Sequence, residues 1–249
     1  TGTRFIIPAF LRSNTVKTMR MLNPILAALF LATLASAQAD TIAIIGTGNV
    51  ARALGPEFAA QGHEIVYGSR NPSTNAVRQL VEDTGDAASA TTQIKAASQA
   101  DIVVLAVPGM LVEEITKSLG DLSGKIIIDP TNPLKKTSLG FEHAVTTSNA
   151  EIIQKAAPGA YVVKAFNTLN WKTMIDPDES GGPVSIPLVG NSDSAKETVA
   201  KLIDGMGLEA IDLGGIENAH WVEGMLILWI NNRYGSERES FDFHLRKND

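Results

Sequence analysis

The chain has 249 residues, 44% of them hydrophobic and 19% charged, with a formal net charge of -6. That length supports one large domain or a domain with a small appendage, and the acidic balance without basic runs speaks against a nucleic-acid partner. With no cysteine, disulfides, thiolate catalysis, iron–sulfur clusters and cysteine zinc sites are excluded, and His63, His143, His220 and His244 lack the spacing of metal ligands, so no metal is expected.

The first 39 residues read as a leader. Lys17 and Arg20 precede an apolar stretch from Ile25 to Leu34, and Ala-Ser-Ala-Gln-Ala at 35–39 offers a cleavage site before Asp40. The apolar core is short for a stable membrane span. Met19 or Met21 is a candidate start, which makes residues 1–18 an upstream extension. A used signal peptide sends the protein to the periplasm or outside; otherwise it is cytoplasmic. A buried helix and an uncleaved anchor are the competing readings of this segment. Export sits awkwardly with a cytosolic cofactor, and Arg20 stands alone where a twin-arginine signal needs two.

An apolar run, Ile42 to Ile45, then stops at Gly46, and Gly46, Gly48 and Ala51 follow the spacing G-x-G-x-x-G/A. A helical pattern over 49–61 and a second apolar run at 64–67 supply the strand–turn–helix–strand setting that makes this motif a dinucleotide site. Gly46 permits the tight turn and Gly48 a close approach to pyrophosphate. Ala51 holds the helix near the sheet, and the helix N-terminus faces the anion.

The second strand ends in Gly68-Ser69-Arg70, where an NAD site places a carboxylate for the ribose hydroxyls. Arg70 offers a planar fork of donors and Ser69 a neutral one, which suits a 2′-phosphate and selects NADP(H). Taken without the motif before it, Ser69-Arg70-Asn71-Pro72 is an ordinary solvated turn.

Further strands are expected at 102–107, 126–128, 161–165 and 186–189, and helices at 73–84, 110–119, 148–157, 194–206 and 217–232. This alternation predicts an α/β fold, a doubly wound, mostly parallel Rossmann sheet with a small C-terminal α/β extension. The domain spans 40–234, and 235–249 is a polar, frayed tail whose Glu237, Arg238 and Glu239 are solvated. Ligands in such sheets bind beyond the carboxyl ends of strands. That rule puts Ala106 to Gly109, Asp129 to Pro133, Lys164 to Thr168 and Gly190 to Asp193 on the rim, although each is also an ordinary turn sequence.

GTGNVARALG, GHEIVYGSRNP, LAVPG, KAFNTL and the helix after LVGNSDSAKE together resemble one family. It is the NADP-dependent oxidoreductases related to the coenzyme F420:NADP oxidoreductase, a group the cytosolic domain of STEAP metalloreductases also resembles. The likeness covers Asp40 to Asn232. It implies that Thr47, Gly48, Asn49 and Val50 wrap the pyrophosphate, and that Ser69 and Arg70 take the 2′-phosphate. It also implies that Val107, Pro108 and Leu111 run along the cofactor, with Asn132 near the nicotinamide. The acceptor implied is a flavin-like or deazaflavin-like ring beside Phe166, Asn167 and Thr168, although a signal peptide is atypical of the deazaflavin enzymes.

Hydride transfer to such a ring needs stacking more than acid–base chemistry. Lys164, His143, His220 and Tyr161 are available as proton donors, but no spacing promotes one, so no catalytic residue is assigned. The other readings are a small-molecule imine or ketone reductase and an NADP-binding sensor without turnover. Pyrroline-carboxylate reductases and β-hydroxyacid dehydrogenases carry a long helical domain for which little chain follows the last strand. Trp221, Leu226, Leu228 and Trp229 read as core, or as the interface of a homodimer built on the last helix.

Overall fold

The computed structural model describes residues 39–234 and 241–246. The expected leader and the charges at 237–239 lie outside the described residues.

Chain order gives β1 Thr41–Ile45, α1 Asn49–Ala60, β2 Glu64–Ser69, α2 Asn75–Thr84, β3 Ala88–Thr92, α3 Gln93–Gln99 and β4 Ile102–Leu105. A 3-10 turn, Gly109–Leu111, leads into α4 Val112–Ser118 and β5 Ile126–Asp129. A hairpin follows, β6 Leu134–Thr137 and β7 Gly140–His143, then α5 Asn149–Ala156, β8 Tyr161–Lys164 and α6 Trp171–Ile175. The last elements are β9 Ser185–Gly190, α7 Asp193–Gly205, β10 Glu209–Asp212 and α8 Ala219–Arg233.

The main sheet has the order β10-β9-β8-β5-β4-β1-β2-β3. From β3 to β8 every pairing is parallel; β9 joins β8 antiparallel, and β10 follows β9 in parallel. The fold is thus the doubly wound, mostly parallel α/β sheet, with the C-terminal β9–α7–β10 unit running the other way.

Layering explains the strand composition. In β1, Ile42 and Ile44 join the core on one face while Ala43 and Ile45 join the core on the other. A strand covered on both faces has no polar side to alternate with. Each buried Ile or Leu contributes roughly 1.5–3 kcal/mol through apolar area withdrawn from water. Helix starts follow local chemistry. Thr74 accepts from the Val77 amide, Ser192 accepts from the Ala195 amide, and Ser148 Oγ accepts from the Glu151 amide while donating to the Glu151 carboxylate.

Several elements depart from the pattern expected. β3 and β10 occupy the two edges of the sheet, and β3 is built from Ala-Ser-Ala-Thr-Thr, which has no apolar run to announce it. The hairpin β6–β7 and the five-residue α6 also carry no long periodic signal. β4 ends at Leu105, two residues early, and Ala106 to Pro108 leave the sheet as a loop.

The tail is not frayed at 241–246. Phe243 O accepts from the Ser185 amide at 2.8 Å, and Ser185 Oγ accepts from the Leu245 amide at 2.7 Å. Asp242 accepts from the Trp229 indole at 3.2 Å, which ties the same segment to α8. In α8, Leu226 and Trp229 enter the interior while Trp221 and Leu228 stay exposed.

Candidate active site

The strand order reverses between β1 and β4, so the loops after these strands diverge and leave a crevice at their carboxyl ends. Gly46 makes the turn there. Its φ is 114°, and a Cβ at this position would stand 2.1 Å from the Ala106 carbonyl oxygen. Its amide donates to Gly68 O at 2.9 Å, tying the turn to β2. Gly48 is the N-cap of α1 and has open space where a Cβ would lie. No side chain caps α1, so its first amides remain available to an anion.

The resulting cleft has a volume of about 760 Å³. Its floor is Gly46, Thr47 and Gly48; one wall is Ser69, Arg70, Asn71 and Thr74; the other is Val107, Pro108, Leu111 and Ile115. Eight of the residues singled out in the sequence therefore meet here. Asn49 and Val50 form the first turn of α1 immediately behind Gly48. Ser69 Oγ accepts from the Asn71 amide at 3.2 Å, which leaves the hydroxyl proton free to donate into the cleft. Arg70 is exposed and has no ion pair among the described residues, and no carboxylate lies between Gly68 and Thr74. Glu114, on the opposite wall, is the acid of this cleft.

Asn132, Phe166, Asn167 and Thr168 do not line it. Asn132 sits below the rim, its carbonyl oxygen only 2.0 Å from where a Cβ on Gly109 would be, so glycine is needed there. Asn132 and Asn167 are locked together: Asn132 Nδ2 donates to Asn167 O at 3.1 Å, and Asn167 Nδ2 donates to Asn132 Oδ1 at 3.0 Å. The Phe166 ring belongs to the hydrophobic core. It is buried against Phe58, with ring centroids 6.1 Å apart, because its own backbone is left-handed at φ 64°. Thr168 is also buried.

The segment Gly190 to Asp193 is corrected outright. β9 runs antiparallel to β8, so its carboxyl end lies at the amino-terminal end of the parallel strands, away from the cleft, and Asn191 accepts from the Ile216 amide there.

Sequence reasoning missed the charged cluster one strand beyond the cleft. Lys164, fully buried at the end of β8, lies 2.7 Å from Asp129 Oδ2 on β5 and 2.9 Å from Glu223 Oε1 on α8, and donates to Thr131 O at 2.7 Å. The two carboxylates outweigh burial and hold the ammonium charged, with its pKa raised. Glu223 is itself fully buried, and burial pushes its carboxyl up to about 7 despite Lys164. Its Oε2 stands 3.5 Å from His143 Nε2, and neither atom has a hydrogen-bond partner among the described residues. His143 stacks on His220 at 4.2 Å, and burial, His220 and Lys164 depress its pKa. A Lys at a strand end was visible in the sequence; the acid 59 positions later was an unremarked residue in an apolar helix.

Known proteins place this geometry. Residues 41–133 match the family described as NADP oxidoreductase, coenzyme F420-dependent. The F420-dependent NADP reductase of Methanothermobacter thermautotrophicus is 30% identical over 208 residues, covering 76% of this chain and 88% of that protein. This chain belongs to that NADP oxidoreductase family.

The NADP-dependent oxidoreductase also resembles rat metalloreductase STEAP3, with 31% identity over 189 residues, but spans only 36% of that protein's length. A crystal structure from Arthrobacter sp. FB24, described as an F420-dependent NADP reductase, superposes with a TM-score of 0.76 at 31% identity, covering 84% of this chain and all of that one. The oxidoreductase's own residues fit an NADP cofactor. They offer a turn that any Cβ would block, uncapped helix amides, and a cation with a hydroxyl at the end of β2.

Proposed function

We propose that this enzyme passes hydride between NADP(H) and a flat flavin-like or deazaflavin-like acceptor. The observation that carries the reading is the joining of the Gly46–Gly48 floor and the Ser69–Arg70 wall in one cleft. Gly48 and the first amides of α1 receive the pyrophosphate, while Arg70 and Ser69 hold the 2′-phosphate. Val107 and Pro108 guide the chain of the cofactor toward the rim at Gly109. When bound, the dinucleotide supplies a hydride at its nicotinamide ring. The protein's task is to align two rings and exclude water between them. Exposed Met110 and Leu111 beside Pro108 offer an apolar surface against which a flat acceptor packs. The named activities of two relatives, an F420-dependent NADP reductase and a metalloreductase, support a redox acceptor over a carbonyl substrate.

Stopped-flow mixing of NADPH-loaded enzyme with deazaflavin, FMN, FAD and a ferric chelate tests this. Loss of the reduced-nicotinamide absorbance with deazaflavin or a flavin is the expected result. Oxidation only by an imine or ketone in a parallel panel would replace the proposed acceptor class.

A further inference from the structure

The buried cluster at the ends of β5 and β8 has no part in binding the phosphates, yet it adjoins the rim. The link is short. Gly109 O, on the rim, accepts from Asn149 Nδ2 at 3.0 Å, and the Asn149 amide donates to Glu223 Oε1 at 2.9 Å. Asn149 Nδ2 also donates to Thr131 Oγ1 at 2.7 Å, and Thr131 donates through that hydroxyl to Asp129 at 2.6 Å. On the other side of Glu223, Asn167 Nδ2 donates to the neighbouring Val222 O at 3.2 Å, and Asn167 is paired with Asn132 under Gly109. A charge on Glu223 is therefore felt toward the rim through buried Asn149, Thr131 and Asn167, where salt and water screen less than at the surface.

The charges facing Glu223 are few and assigned: Lys164 from β8, Asp129 behind it from β5, His143 from β7, and His220 stacked on His143. Lys164 and Asp129 cancel. With His143 neutral, the cluster's net charge is -1 when Glu223 is ionised and zero when it holds a proton.

The geometry points to Glu223 as the residue that distinguishes the two redox states of the cofactor, by giving up its proton when the oxidised, cationic nicotinamide binds and keeping it when the neutral, reduced ring binds. The inference rests on the proposed placement of the nicotinamide past Pro108. The oxidised ring carries a positive charge that the reduced ring lacks, so only the oxidised form gains from a nearby carboxylate. Burial has already brought the carboxyl to about 7, where a modest interaction changes its protonation. His143, only partly buried, is the proton's neighbour on the way to solvent.

The sign follows from linkage. Below the pKa of the NADP⁺-bound form, Glu223 is protonated whether or not nucleotide is bound, and NADP⁺ binds weakly. Above the free pKa it is ionised in both states, and NADP⁺ binds tightly. If bound NADP⁺ lowers the pKa by about one unit, the ratio Kd(NADP⁺)/Kd(NADPH) falls about tenfold between about pH 5.5 and pH 8.5. The 2′-phosphate titrates near pH 6 as well, but it is common to both nucleotides and drops out of the ratio.

The experiment is titration calorimetry of both nucleotides across that pH range on wild type, Glu223→Gln and His143→Gln. The expected result is a falling ratio in wild type, a flat ratio at the acid-limit value in Glu223→Gln, and a fall with a displaced midpoint in His143→Gln. A flat wild-type ratio, or an undiminished fall in Glu223→Gln, overturns the inference. Absence of binding by either nucleotide at every pH is a different result: it would remove the NADP site itself, and this inference with it. Should Glu223→Gln fail to fold, proton release is counted on wild type alone, in buffers of different ionisation enthalpy. Near pH 6.5, NADP⁺ is expected to release about half a proton per site more than NADPH; equal release overturns the inference.

Discussion

Arg70 is the residue on which the proposed choice of NADP over NAD turns. It stands at the carboxyl end of β2, exposed, with Ser69 beside it and no competing carboxylate in the turn. A charge-assisted contact of this kind is worth about 1.5–3 kcal/mol, so Arg70→Ala is expected to weaken NADPH binding by about 10- to 100-fold. NADH has no 2′-phosphate to lose, and its affinity should stay within about twofold; equal weakening of both would remove the 2′-phosphate assignment. The place of Arg70 in the cleft was legible in the sequence because it depends on a local feature, the end of a strand. Phe166 was not. Its place in KAFNTL put it at a strand end, but the left-handed backbone that swings its ring into the core against Phe58 has no sequence marker. Glu223 was invisible for a related reason: its partners Lys164, Asp129 and His143 are 59 or more positions away.

At the scale of elements, α1 and β2 fit because of a glycine outside the G-x-G-x-x-A motif. A Cβ on Gly55 would lie 1.8 Å from the Tyr67 hydroxyl and 2.7 Å from its ring carbon. Tyr67 passes under the helix at that point and reaches Thr84 with a 2.7 Å hydrogen bond, joining β2 to the end of α2. Gly55→Ala is therefore expected to destabilise the fold by roughly 1–3 kcal/mol through overpacking. Tyr67→Phe should cost about 1 kcal/mol for the hydrogen bond. In the double variant the losses should fall short of their sum, since removing the hydroxyl clears the closer of the two clashes. Urea unfolding of the four proteins measures this, and strict additivity would refute the contact. Strands such as β1 and β4, buried on both faces, could be read from their apolar runs. Strand direction could not. An apolar run is the same forwards and backwards, which is why Gly190 to Asp193 was expected at the wrong end of the sheet.

For the whole molecule, the buried cluster couples stability to pH. The unfolded chain releases the Glu223 proton near the ordinary value of 4.5, while the folded chain holds it to about 7. Between these values the native state binds more protons, so stability falls as pH rises and levels off above the folded pKa. The window corresponds to roughly 2–4 kcal/mol. Melting curves of wild type and Glu223→Gln at pH 5 and pH 8 check this. The variant should lose less stability than wild type on going to the higher pH, and parallel losses would mean that Glu223 titrates normally. Lys164, with its raised pKa, contributes in the opposite range: its stabilisation is present below its ordinary value and is lost only as strongly alkaline pH passes the folded one.

The hairpin between β5 and α5 is fastened to α8. Asn231 exchanges two hydrogen bonds with the Phe141 backbone, 90 positions earlier, and Glu223 completes the surroundings of Lys164. This has a bearing on synthesis from the ribosome. A nascent chain that has emerged as far as Gly215 already holds the glycine turn and the β2 end, so its phosphate grip can form. Its Lys164 has one carboxylate instead of two, and its hairpin has no anchor. The glycine turn and the β2 end can thus assemble before the surroundings of Lys164, which α8 completes.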